Sequence, residues 1–137
     1  KTAYEIGLGI PAEPLFRSPK IDFWFCEAVL RLRQGYEDVS LEAVIPYPGQ
    51  ADRWRENDRE RYRRLLSACN YETVVQAEYS RGCMQRRNRY LVDHATMLIA
   101  VHDGLPGGTQ KTIAYAMERG IEIMDTPSTL EKKVCGV

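Results

Sequence analysis

A chain of 137 residues with 44% hydrophobic and 28% charged residues has the balance of one soluble globular domain, which excludes fibrous and disordered classes. Nineteen Lys and Arg offset nineteen Asp and Glu, so bulk charge gives no pull toward nucleic acid or an anionic membrane surface. No apolar run approaches the roughly 20 residues of a membrane helix and no charged-then-apolar leader opens the chain, so a cytoplasmic protein is expected.

The strand and helix periodicities begin after the first twenty residues, a stretch with prolines at Pro11, Pro14 and Pro19. Asp22 can cap a helix running through Phe25, Val29 and Leu32 to Gly35, where a glycine can take the left-handed position. Residues 41–45 read as a strand, stopped by Pro46 and Pro48, because proline donates no ladder hydrogen bond. A helix over residues 54–69 has the apolar stripe Trp54, Tyr62, Leu65, Leu66 and Cys69. Strand 72–76, helix 83–95, strand 97–101 and helix 109–119 follow, and Gly120 separates the last helix from a closing strand at 121–124.

Strands that alternate with helices and read as near-continuous apolar runs imply a mainly parallel sheet covered on both faces. Right-handed crossovers bring the carboxyl ends of such strands to one edge, where ligands of open α/β sheets bind. Three loops are expected there, at residues 46–50, 77–82 and 102–108. The last contains Pro106, Gly107, Gly108 and Thr109 between the apolar run Met97, Leu98, Ile99, Ala100, Val101 and a helix. A glycine pair opening a helix can present bare N–H groups to phosphate with support from the helix dipole. Equally, it can be a plain turn in which glycine supplies positive φ. It matches neither G-x-G-x-x-G nor a P-loop.

In the helix over 83–95, Met84, Leu91 and Ala95 share a stripe, and Arg87 and Asn88 fall within it. Burying a guanidinium requires an anion or several hydrogen bonds. A ligand contact and a core carboxylate or carbonyl partner both satisfy this. Arg86, Arg89 and Asp93 are expected to face outward, Arg89 and Asp93 as an i,i+4 pair. The arginines at 53, 55, 59, 61, 63 and 64 alternate with Asp52, Glu56, Asp58 and Glu60, the pattern of a solvated, salt-bridged face rather than a nucleic-acid helix. Tyr79, Tyr90 and Trp54 can stack on a base or serve as packing residues. Cys26, Cys69, Cys83 and Cys135 lack C-x-x-C spacing and read as buried free thiols, and two histidines, His94 and His102, make no metal cluster, so no metal is expected.

Taken together, Ile45, Pro46, Tyr47, Gln50 and Trp54, then Tyr79 and the run 83–93, then Asp103, Gly104, Gly107, Gly108, Thr109, Tyr115 and Ala116 resemble the YpsA-like family. That family belongs to the SLOG superfamily, with the DNA-processing Smf/DprA and lonely-guy phosphoribohydrolase groups. The similarity covers roughly residues 21–125. It implies a bacterial, Rossmann-like three-layer α/β domain that binds a nucleotide or a derivative such as ADP-ribose or an NAD-like molecule, and no other cofactor. Residues 1–20, where relatives have a first strand and a Gly-rich loop, are expected to be divergent or incomplete, and residues 126–137 form a tail.

The resemblance implies ligand contacts at Pro46, Gln50, Arg87, Asn88, Asp103, Gly104, Gly107, Gly108 and Thr109. Lonely-guy enzymes use an arginine that Arg87 matches and a glutamate shortly after the Gly-Thr pair, where this chain has Lys111 and Thr112. Without that carboxylate no general acid is evident, with Asp103 the remaining alternative, and no catalytic residue is assigned. A non-catalytic sensor or regulatory domain with a small nucleotide-like ligand is therefore expected, without membrane or nucleic-acid partners and compatible with a homodimer. The alternatives are hydrolysis of the N-glycosidic bond of a nucleoside monophosphate and single-stranded DNA binding.

Overall fold

The computed structural model describes residues 3–6, 20–102 and 107–127. In chain order the elements are β1 (Ala3–Ile6), α1 (Lys20–Gly35), β2 (Ser40–Ile45), α2 (Glu56–Ala68), β3 (Tyr71–Val74), α3 (Cys83–Asp93), β4 (Met97–His102), α4 (Gly108–Arg119) and β5 (Glu122–Pro127). Contacts divide the chain into two compact units, Lys1–Arg87 and Asn88–Val137. Every strand pairing among the described residues is parallel. The alternation of parallel strands with helices makes this an α/β protein of Rossmann-like architecture.

In the first unit β2 is the middle strand of the order β1-β2-β3. Its burial follows from its sequence: Leu41, Ala43, Val44 and Ile45 are all buried, as expected of a parallel strand covered on both faces. Leu41 and Ala43 join Phe23, Cys26 and Val29 of α1 and Tyr62 and Leu65 of α2 in one core cluster. The three α1 residues recur every third position, which keeps them on the face that meets the sheet. Each large side chain buried here contributes about 1.5–3 kcal/mol.

Polar bonds fix how these helices and strands meet. Asn70 lies just before β3 and joins it to β2: its N–H donates to the Leu41 carbonyl at 2.8 Å, and its Oδ1 accepts from the Leu41 N–H at 2.9 Å. The same Oδ1 accepts from Arg33 Nη1 at 2.7 Å, and that nitrogen also reaches the Ala68 carbonyl at 2.8 Å. Arg61 of α2 makes a bidentate pair with Glu27 of α1, both bonds 2.9 Å, and lies over the Phe23 ring at 5.0 Å. The arginine-rich helix is salt-bridged as its mixed charges predict. At Arg61 and Arg64, however, the partner is Glu27 on a neighbouring helix.

Several boundaries differ from the sequence reading for local reasons. β1 has only four residues and no periodicity to mark it. α1 begins at Lys20, so Asp22 lies inside its first turn rather than at the cap. Gly35 does not take positive φ, which among the described residues occurs only at Gly82 and Gly120. Trp54 precedes α2 because Arg55 is extended, yet it still packs edge-on against Phe23 and Tyr62. β3 ends at Val74, but the N–H groups of Val75 and Gln76 continue onto the carbonyls of Ile45 and Pro46.

In the second unit β4 pairs with β5 from Met97 opposite Glu122 to His102 opposite Pro127. α4 between them ends at Gly120, whose φ of 70° is the left-handed helix stop that glycine adopts without strain. Arg89 lies over the Tyr115 ring, while Asp93 takes the Tyr115 hydroxyl at 2.7 Å and Arg119 at 3.4 Å. The expected Arg89 to Asp93 pair is thereby replaced by a cation over an aromatic ring. No described helix is long and apolar enough to cross a membrane.

Asn70→Ala removes the acceptor of a buried strand N–H, so denaturant unfolding should show a loss of about 1–3 kcal/mol. Ser67→Ala, which removes only an exposed hydroxyl bond to the Arg64 carbonyl, should stay within about 0.5 kcal/mol of the parent.

Candidate functional site

The carboxyl end of β2 runs directly into a tight loop. Pro46 is fully buried, and successive turns close from Gln50 N–H to the Tyr47 carbonyl, Asp52 to Gly49 and Trp54 to Ala51. Gln50, expected on sequence grounds at a ligand, is 7% exposed, and its Nε2 donates to the Tyr62 hydroxyl at 3.0 Å. Its amide thus ties the loop to α2. Burial holds the Tyr62 phenol above its ordinary range, with the Gln50 bond working in the opposite direction.

The neighbouring loop leaves β3. Gln76 organises it: its Nε2 donates to the Glu78 carbonyl and to Ser80 Oγ, each at 2.7 Å, and its Oε1 accepts from Arg86 of α3 at 3.0 Å. Gly82 turns the chain into α3 with a φ of 87°. Tyr79 on this loop meets Tyr47 on the first, ring centroids 5.4 Å apart and edge to face. Burial, followed by the nearby Cys83 and Tyr79, holds the Tyr47 phenol above its ordinary range.

Arg87 stands one turn beyond Cys83 on α3 and is 4% exposed. The most buried residues of α3 are Cys83, Arg87 and Val92, while Met84 and Leu91 are half-buried. Arg87 is therefore a central member of the buried face, not an interruption of it. Burial lowers its pKa, and the charges of Asp22 and Cys83 raise it. Asp22 in the first turn of α1 thus acts as an electrostatic partner of the guanidinium, the carboxylate alternative that the sequence left open. Asn88 is half-buried, and Arg86 and Arg89 are exposed.

In the second unit the amino end of α4 is built from Gly107 and Gly108. Gly107 precedes the helix with φ 165° and ψ −165°, and no side chain caps the end. That backbone is extended, so the plain-turn explanation, in which glycine supplies positive φ, does not apply at Gly107 or Gly108. Among the described residues, a Cβ built on Gly107 would meet nothing within 4 Å. Thr109 is half-buried, Lys111 is exposed, and the Thr112 hydroxyl donates to the Gly108 carbonyl at 2.9 Å. Asp103 and Gly104 lie outside the described residues.

Three thiols are free, Cys26 and Cys83 buried and Cys69 half-buried, while Cys135 lies outside the described residues. Cys26 is held protonated by its hydrogen bond to Cys69 and by burial, and the same bond lowers the Cys69 thiol. Among the described residues no group of three His, Cys, Asp or Glu side chains could hold a metal.

Parallel strands alternating with helices define an α/β protein of Rossmann-like architecture. A model of YpsA, described as the YspA SLOG family, matches residues 19–129, and the chain belongs to that family. A UPF0398 protein of Bacillus thuringiensis (strain Al Hakam) is 27% identical over 105 residues, 75% of this chain and 57% of the relative. UPF0398 proteins of Bacillus cereus strains AH187 and Q1 match to the same extent. The chain spans just over half the length of these relatives.

The raised Tyr62 pKa carries a pH signature. Its contribution to stability is complete below the ordinary tyrosine value of about 10 and is lost as pH rises through the higher folded-state value. Denaturation followed from pH 9 to pH 11.5 should show a steep fall in the parent and a shallower one in Tyr62→Phe. At neutral pH the same variant should lose about 1 kcal/mol with the Gln50 bond.

Proposed function

We propose that this chain binds a nucleotide or a nucleotide derivative such as ADP-ribose or an NAD-like dinucleotide, and does so as a sensor or regulator rather than as an enzyme. The observation that carries this reading is the amino end of α4. Its backbone is one that any residue can adopt, and among the described residues nothing crowds a Cβ at Gly107 and no side chain caps the helix there. What glycine does at such a place is keep bare N–H groups open to a ligand, at the end of a helix whose dipole favours anions. Gly107, Gly108 and Thr109 are accordingly assigned to phosphate, with Asp103 and Gly104 completing that loop in the sequence.

Contacts within the first unit are proposed separately. Arg87 keeps its positive charge at any physiological pH, and its five N–H donors can serve a phosphate alongside the charge of Asp22. The loop carrying Pro46 and Gln50 supplies a wall in the same unit, while Asn88, the first residue of the second unit, is assigned an amide contact on its own account. The non-catalytic part of the reading is supported by the two positions where a lonely-guy glutamate would stand. Lys111 is exposed, and the Thr112 hydroxyl is bonded within its own helix.

Gly107→Val should fold like the parent, since its backbone is extended and the new side chain points into open space. It should nonetheless abolish the thermal-shift response to nucleotides and ADP-ribose, because the branched side chain occupies phosphate space. Unchanged ligand affinity in this variant refutes the phosphate assignment. In a chromatographic assay at saturating nucleoside monophosphate, no free base should appear. Turnover of about 1 per second or faster would replace the binding reading with hydrolysis.

A further inference from the structure

Tyr36, Tyr71 and Tyr79 are all about 60% exposed or more, but their surroundings differ. Tyr36 follows α1 and Tyr71 opens β3, so both belong to the amino edge of a parallel sheet. Tyr79 follows β3 and meets Tyr47, which follows β2. The two rings therefore stand together at the carboxyl edge, where open α/β sheets take their ligands.

The loop that presents Tyr79 is also tied down more closely than an exposed surface loop requires. Gln76 holds it through Glu78 and Ser80, Arg86 holds Gln76 from α3, and the Cys83 N–H closes onto the Ser80 carbonyl at 3.1 Å. An aromatic ring fixed in position while exposed on one side loses little conformational entropy when a flat partner stacks on it. Among the other aromatics considered for stacking, Trp54 is packed between Phe23 and Tyr62, and Tyr90 stacks on His94 at 4.0 Å.

From this placement we propose that Tyr79, buttressed edge-on by Tyr47, is the stacking platform for the nucleobase of the ligand. The inference rests on the nucleotide contacts proposed above for the first unit, where Arg87 also lies, and adds the residue that recognises the base. Stacking on an aromatic ring accepts any planar heteroaromatic base and requires no hydrogen-bond code. Tyr47, held neutral by burial, keeps its hydroxyl proton beside the platform.

Isothermal calorimetry of the full chain with AMP, ADP-ribose and ribose 5-phosphate tests the assignment. Ribose 5-phosphate has the sugar and phosphate but no base. The parent should bind AMP about ten- to a hundredfold more tightly than ribose 5-phosphate, the usual contribution of one stacked base. Tyr79→Ala should erase that difference while leaving ribose 5-phosphate binding unchanged, Tyr79→Phe should preserve it, and Tyr36→Ala should have no effect. Equal affinities for AMP and ribose 5-phosphate in the parent, or an unaltered AMP preference in Tyr79→Ala, overturn the stacking role. If ribose 5-phosphate binding persists in that case, the nucleotide reading stands without the stacking role. A parent that binds none of the three probes defeats both.

Discussion

The first unit depends on one constraint: β2 must be covered on both faces and paired on both edges. Four of its six residues are buried, and its ladder is satisfied only by β1 on one side and β3 on the other. α1 and α2 meet over Leu41 and Ala43, which sets the position of the Arg61 to Glu27 clamp. Asn70 then completes the pairing with β3 before that strand begins, using a side chain to satisfy Leu41. A short, half-exposed strand such as β3 would otherwise have little to hold it in register.

The same constraint brings chemistry to the carboxyl edge. Once β2 and β3 are parallel neighbours, the loops that leave them must emerge side by side, and Tyr47 meets Tyr79. α3 follows, with Cys83 and Arg87 on its buried side. Burying a guanidinium is costly unless charge is matched, and Asp22 provides a match from the first turn of α1. Asp22 therefore relates to the charge of another helix as well as to the dipole of its own.

Glycines in this chain do different work at different places. Gly82 and Gly120 hold positive φ, one entering α3 and the other ending α4. Gly107 does neither, and its openness is the feature for which a ligand gives the simplest physical reason. Family membership places the chain in a SLOG family. The relatives' name, UPF0398 protein, specifies no ligand.

From residue 20 onward, the sequence by itself determined the kind and order of every element, because apolar periodicity and the prolines and glycines that break it are local properties. Ends moved by one to three residues, as at Trp54 and at the close of β5. The glycine pair, the arginine on α3 and the free thiols were legible for the same reason. What only the tertiary structure decided depends on partners distant in sequence. β1 is a strand because β2 pairs with it, and four residues without a period cannot announce that. Gln50 faces Tyr62, Asp22 answers Arg87, and Tyr79 finds Tyr47, none of which spacing could reveal. Local sequence fixes dihedral preferences and which face is apolar, whereas the partner of a buried polar or aromatic group is fixed only when the sheet sets which loops and helices become neighbours.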